Sequence, residues 1–162
     1  MALAVGTRAP AFELPAEPGG SASLASLTAD GPALLAFYKP NCPVCQMSFP
    51  VFGEMARRYG GSLPVVAVAQ EPLADARTWL DWKGFDGLAL SDAPDWNVSR
   101  AFDIESVPTL VLVDGDGVIA DVIGAWDKER VNALAARLGE LTGGDTAPVT
   151  TDNDGLPSYK PG

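Results

Sequence analysis

Histidine is absent from this 162-residue chain and cysteine occurs only twice, which closes most routes to a metal site. A zinc site needs four ligands, and without histidine or a third cysteine it cannot be completed within one chain. A copper site of the Cys/Cys/His kind fails for the same reason, so only a metal site shared between subunits stays open. Two cysteines also fall short of the framework that staples small secreted domains. A single domain of this size, 47% hydrophobic, forms a core without such staples. Positive charge is scarce as well: 11 Lys and Arg face 21 Asp and Glu, a net charge of −10, which argues against nucleic acid or any other polyanion as partner. The deficit is uneven, five basic against seven acidic residues over 1–81 and six against fourteen over 82–162. The acidic second half reads as a solvated face, with a partner surface as the sharper alternative. No run is long and apolar enough to span a bilayer. The start, "MALAVGTRAPAFEL", lacks the basic and long apolar regions of a signal peptide. The expected compartment is therefore the cytoplasm, unless a leader or anchor has been trimmed from the sequence. No cofactor is called for.

What is present alternates between strand and helix signals. "GTRAPAFEL" leads into a short strand, "PAEPGGSAS" turns it back, and Leu24–Leu27 fit one helical turn. "PALLAFY", between Asp30-Gly31 and Lys39-Pro40, is an apolar run of the kind that fills a buried strand. From Pro43 to Tyr59, Val44, Met47, Val51, Phe52 and Met55 recur at steps of three and four, an amphipathic helix closed by Gly60-Gly61 and expected to kink at Pro50. "LPVVAVA" is a second buried strand, and "PLADARTWLDWKGF" a second helix with Pro72 suited to its first turn. "GLALSD" is strand-like, and "DWNVSRAFD" a short helix that Asp95 could cap. "TLVLVD" and "VIADVIG", joined by the turn signal "DGDG", form a hairpin, after which Asp127 opens a last helix that Gly143-Gly144 close. Residues 1–142 thus form one domain. The polar, Pro- and Gly-containing stretch 143–162 has no periodicity and reads as a flexible or loosely draped tail.

Both cysteines lie in "KPNCPVCQMSFP", between a predicted strand and a predicted helix. At a helix start, unpaired N–H groups and the helix dipole stabilise an anion, so a thiolate at Cys42 is favoured. Cys45, one turn on, sits further inside. An exposed attacking thiolate with a resolving thiol behind it is the layout of thiol–disulfide exchange. Pro43 fixes a backbone angle between the two cysteines and suits the first turn, and Lys39 adds positive charge nearby. Two inert buried thiols remain the plain alternative. Far off in sequence, Val107-Pro108-Thr109 opens another buried strand, and proline there could be no more than a strand start.

The element order, Cys42-Pro43-Val44-Cys45 and Val107-Pro108-Thr109 together resemble the thioredoxin fold. "GTRAPAFEL" and Pro50 are similar to the TlpA/ResA-like and peroxiredoxin-like (AhpC/TSA, redoxin) branch over residues 5–141. The resemblance implies an α/β fold: a three-layer α/β/α sandwich with a mixed central sheet and an N-terminal β-hairpin extension. It implies Cys42 as nucleophile, Cys45 as resolver and Pro108 as a cis-proline beside them, leaving the backbone of Val107 free to pair with a substrate strand. Pro43 and Val44 would complete the substrate-contacting surface. The chain departs from the pattern at Asn41, where many relatives have tryptophan. It departs again at Ala36, where thioredoxin has a buried aspartate, and at Ser48, where ResA-like proteins have glutamate. Glu71 or Glu105 could replace these missing proton acceptors, as could water.

The resulting expectation is a thiol–disulfide oxidoreductase acting through a mixed disulfide, in the reducing direction because Pro-Val offers no histidine to stabilise a strongly oxidising pair. Its partners would be a protein or small-molecule disulfide and an upstream dithiol donor. One alternative is a thiol peroxidase with Cys45 as peroxidatic cysteine, against which stand Cys42 and Tyr38 at positions where that family has Thr/Ser and Pro. The other is a binding domain that kept the fold without the catalysis.

Overall fold

A computed structural model describes residues 2–162. The chain opens with β1 (Glu13–Glu17) and β2 (Ser21–Ser23), an antiparallel hairpin in which Leu14 faces Ala22. A single helical turn, α1 (Leu24–Leu27), follows; Ser23 caps it and Ser26 returns the bond to the Ser23 backbone. β3 (Ala33–Tyr38) is buried along its whole length, as expected of a strand covered on both faces. α2 (Pro43–Tyr59) starts at Cys42 and continues as helix through Pro50.

β4 (Val65–Ala69), α3 (Leu73–Trp82), β5 (Leu88–Ser91) and α4 (Asn97–Ala101) come next. Pro72 stands just before the first turn of α3, at the capping position. The expected cap at Asp95 belongs instead to Asp92. Its buried carboxylate accepts from the N–H groups of Val98 (3.0 Å) and Ser99 (2.6 Å). Asp92 can reach them because Trp96 turns the chain through the left-handed region, at φ 55°. β6 (Thr109–Val113) and β7 (Ile119–Gly124) form the expected hairpin. The short β8 (Trp126–Asp127) leads into α5 (Lys128–Thr142), which Asp127 caps and Gly143, at φ 66°, terminates.

The seven-stranded sheet runs β2-β1-β5-β4-β3-β6-β7, with β3–β4 and β4–β5 parallel and the other pairs antiparallel. Successive crossovers β3–α2–β4 and β4–α3–β5 step the same way across the sheet, so a common handedness puts α2 and α3 on one face. Phe49 of α2 and Trp79 of α3 accordingly meet edge to face, centroids 5.2 Å apart. Neighbouring strand residues point to opposite faces. Tyr38 packs on Phe49 and Trp79, while Phe37 packs on Phe102 behind α4. The result is the three-layer α/β/α sandwich with a mixed sheet and an N-terminal hairpin. Among the described residues, no helix is long and apolar enough to cross a membrane.

The stretch after α5, expected as a loose tail, is held along the body by polar contacts. The Tyr59 hydroxyl donates to Asp145 O (2.6 Å), Arg58 to Ala147 O (2.6 Å) and Asn132 to Thr150 O (2.9 Å). The Lys128 ammonium lies 2.6 Å from the Asp154 carboxylate, and the Trp126 indole N–H donates to Pro157 O (2.7 Å). β9 (Tyr159–Lys160) then pairs antiparallel with β8. Gly139 of α5 permits the crossing, since a Cβ there would stand 2.8 Å from the Asp145 carbonyl carbon. Almost none of this shows in apolar periodicity, because the partners are single polar side chains and backbone groups.

Candidate active site

β3 delivers the chain to the C-terminal edge of the sheet, and Lys39-Pro40-Asn41 turn it into α2. The Cys42 N–H donates to Lys39 O (3.3 Å) and the Gln46 side chain to Pro40 O (2.9 Å), which fixes the turn. Cys42 is the N-cap of α2, and its sulfur takes the role usually played by a serine or aspartate oxygen. The Cys45 N–H donates to Cys42 Sγ at 3.2 Å. An N–H aimed at a sulfur from the positive end of a helix stabilises charge on that sulfur. The Cys42 thiol also donates to Val107 O, 3.3 Å away, so the two motifs separated by 65 residues meet at one atom.

Both cysteines are free thiols, and they differ in exposure: Cys42 is partly open, Cys45 is 0% exposed. Burial pushes the Cys45 thiol far above the ordinary cysteine range, and the adjacent Cys42 adds to the rise, against a lowering bond to the Lys39 backbone. Of the residues between the cysteines, Pro43 is exposed at the first helical position, whereas Val44 is 5% exposed and packs into the core. Pro43 is therefore open at the surface, and Val44 presents almost no surface.

The Val107–Pro108 bond is cis. Thr109 Oγ1 donates to Ser106 O (2.8 Å), and the Ala125 N–H donates to Pro108 O (3.1 Å), which pins the loop from both sides. At the positions where relatives carry acids, Ala36 is buried and the Ser48 hydroxyl donates to Cys45 O (3.4 Å). Glu71 lies close enough to act on the buried Tyr38 phenol, and Glu105 lines a cleft of about 150 Å³ beside Val107.

Three features of this region escape a reading of the sequence. The Tyr38 hydroxyl is buried without a hydrogen-bond partner. Desolvation raises its pKa strongly; the positive charge of Arg77 opposes this, while Cys45 and Glu71 add to it. Trp96 forms a wall of the cleft, its indole N–H bonded to Gln70 O (3.1 Å) and the Lys39 ammonium 4.8 Å from its ring centre. Finally, Gly162 lies directly on the Val107 backbone. Each depends on contacts between residues far apart in sequence, and no local spacing announces them.

A mixed sheet covered on both faces, with a Cys-x-x-Cys pair opening α2 opposite a Val-Pro loop, defines a thioredoxin-like protein. Residues 5–122 match the sequence pattern of the AhpC/TSA family, and the chain belongs to that family. Methylamine utilization protein MauD of Paracoccus versutus is 31% identical over 115 residues, covering 71% of this chain and 56% of MauD. The chain thus spans about half the length of the curated relatives it matches. Among solved structures, one from Chlorobium tepidum assigned as thiol:disulfide interchange protein DsbE superposes with a TM-score of 0.73 at 25% identity, covering 86% of this chain and 98% of that one. Peroxidoxin BcpB from Mycobacterium tuberculosis superposes with a TM-score of 0.64 at 26% identity, over 74% of this chain and 84% of BcpB.

Proposed function

We propose that this protein is a thiol–disulfide oxidoreductase working in the reducing direction, with Cys42 attacking and Cys45 resolving. The observation that carries the reading is the unequal pair: a partly open Cys42 sulfur held by the Cys45 N–H at 3.2 Å, in front of a fully buried thiol. In the first step the Cys42 thiolate attacks one sulfur of a substrate disulfide. That S–S bond breaks, a mixed disulfide forms on Cys42, and the departing thiolate takes a proton. In the second, Cys45 gives up its proton and attacks Cys42 Sγ. The substrate leaves as a dithiol and the protein keeps the Cys42–Cys45 disulfide. Two electrons have passed to the substrate, and an upstream dithiol donor must return them. Val107 would present its backbone to the substrate, with Pro108 and Pro43 shaping the approach. A reducing compartment such as the cytoplasm suits this direction.

The peroxidase alternative needs Cys45 as an accessible thiolate. Complete burial and an upward-shifted thiol both oppose that. The test mixes the reduced protein with insulin or with hydrogen peroxide and compares Cys42→Ser and Cys45→Ser variants. Insulin reduction should require Cys42, and Cys45→Ser should accumulate a mixed disulfide. Rapid peroxide consumption that survives Cys42→Ser but not Cys45→Ser would reverse the assignment. Failure of the parent to reduce insulin or to consume peroxide, with both serine variants folding normally, would leave a binding domain.

A further inference from the structure

The backbone of Val107, which the proposed function offers to a substrate strand, is already covered by the chain's own residues. A Cβ built on Gly162 would fall inside contact distance of Val107 O and stand 2.9 Å from its carbonyl carbon and 3.4 Å from its nitrogen. Val107 is 8% exposed, and Pro108 is buried beside it. The covering segment is hung on the same loop it covers: β9 pairs with β8, and the residue before β8, Ala125, donates to Pro108 O. Upstream, Asp154 on Lys128 and Pro157 on the Trp126 indole anchor the segment firmly. Beyond Pro157 the hold is slight. Lys128 N–H donates to Ser158 O (2.9 Å), β9 is two residues long, and its side chains point into solvent.

We propose that residues 159–162 are a specificity element that occupies the strand-docking face of Val107. The segment lets small disulfides reach Cys42 and makes a protein disulfide displace it first. The proposal rests on the oxidoreductase reading. A firm anchor followed by a weak two-residue strand is the build expected of a segment that lifts without unfolding the body. Glycine at 162 is what permits the closed position, since any side chain would collide with main-chain atoms rather than with a movable group.

The experiment compares the parent with a variant lacking residues 159–162 and with Gly162→Ala, both retaining the Asp154 and Pro157 anchors. Each fully reduced protein is mixed with insulin and, separately, with bis(2-hydroxyethyl) disulfide. The ratio of the insulin rate to the small-disulfide rate should rise about five- to tenfold in both variants, the equivalent of one net hydrogen bond removed from the closed state. The small-disulfide rate itself should stay near the parent's. An unchanged ratio would overturn the proposal, as would a fall in both rates in a variant that melts like the parent, since the segment would then support docking. If the deletion fails to fold, Gly162→Ala decides alone. Absence of any Cys42-dependent reaction with either disulfide in the parent would instead bring down the oxidoreductase reading, and this proposal with it.

Discussion

In the proposed exchange, the asymmetry between the two thiols sets a definite pH dependence for the resolving step. Cys45 must lose its proton before it can attack the mixed disulfide, and burial holds that proton on well above the usual range. An unperturbed thiol of pKa about 8.5 is only a few per cent ionised at neutral pH, and Cys45 is ionised less than that. Below its pKa the thiolate fraction grows tenfold per pH unit, so the resolving rate should climb about tenfold per unit throughout pH 6–9 without levelling off. Bonding Cys42 to a substrate removes that neighbour's contribution to the shift. Desolvation, the larger cause, remains.

The assay forms a mixed disulfide between Cys42 and 2-nitro-5-thiobenzoate and follows release of the coloured thiolate after a pH jump. The Cys45→Ser variant supplies the blank. A slope of one in log rate against pH is the expected outcome. A plateau anywhere between pH 7 and 9 would refute the reasoning, because it would mean that Cys45 titrates near a free thiol or that a carboxylate such as Glu71 takes its proton.

Four further outcomes can be checked independently. Phe49→Ala removes a fully buried ring packed against Tyr38, Phe52, Trp79 and Phe85, and should cost about 3–5 kcal/mol, read as a drop in Tm of about 6–20 °C. Asp92→Ala leaves the N–H groups of Val98 and Ser99 without their acceptor and should cost about 1.5–3 kcal/mol in urea unfolding, with α4 amides exchanging faster. Asp154 is held below the usual carboxylate range by the Lys128 ammonium and then by the Thr150 hydroxyl, so its contribution is complete above the unfolded value of about 4 and declines as pH falls through the lower folded value. Protection of the amides of residues 150–160, corrected for the intrinsic exchange rate at each pH, should therefore fall only below about pH 4, and Asp154→Asn should lower it above that pH. On the alkaline side Cys45 is raised, so the unfolded chain releases its proton first and stability should fall above about pH 8.5, by at most about 1.4 kcal/mol per unit from this group.

The parts of the fold legible in the sequence are those governed by local chemistry. The apolar run "ALLAFY", the three-and-four spacing from Val44 to Met55, the "DGDG" turn and the Asp127 cap each fix an element within a few residues of where they lie. The cysteine pair was legible for the same reason, because strand, turn and helix start are contiguous. Asp92 was not, since its capping role depends on the left-handed turn at Trp96, a conformation that tryptophan does not announce. Nor was the course of residues 145–160, whose anchors to the body are single polar groups meeting partners 18 or more residues away.

That division explains why the chemistry of this site can be read before its selectivity. In the proposed exchange, attack and resolution need only Cys42 and Cys45, set by one helix turn and by whether each sulfur lies at the surface or beneath it. Selectivity depends on what surrounds Cys42 Sγ. Here that means the Val107 carbonyl, the Trp96 and Lys39 cleft beside Val107, and the segment ending at Gly162. These come from four separate stretches of chain, joined only by the tertiary structure. A relative that kept Cys-Pro-Val-Cys and Val-Pro-Thr but put a bulkier residue at position 162 would keep the same exchange chemistry. On the proposal for residues 159–162, it would leave Val107 uncovered, and the set of disulfides it accepts would widen accordingly.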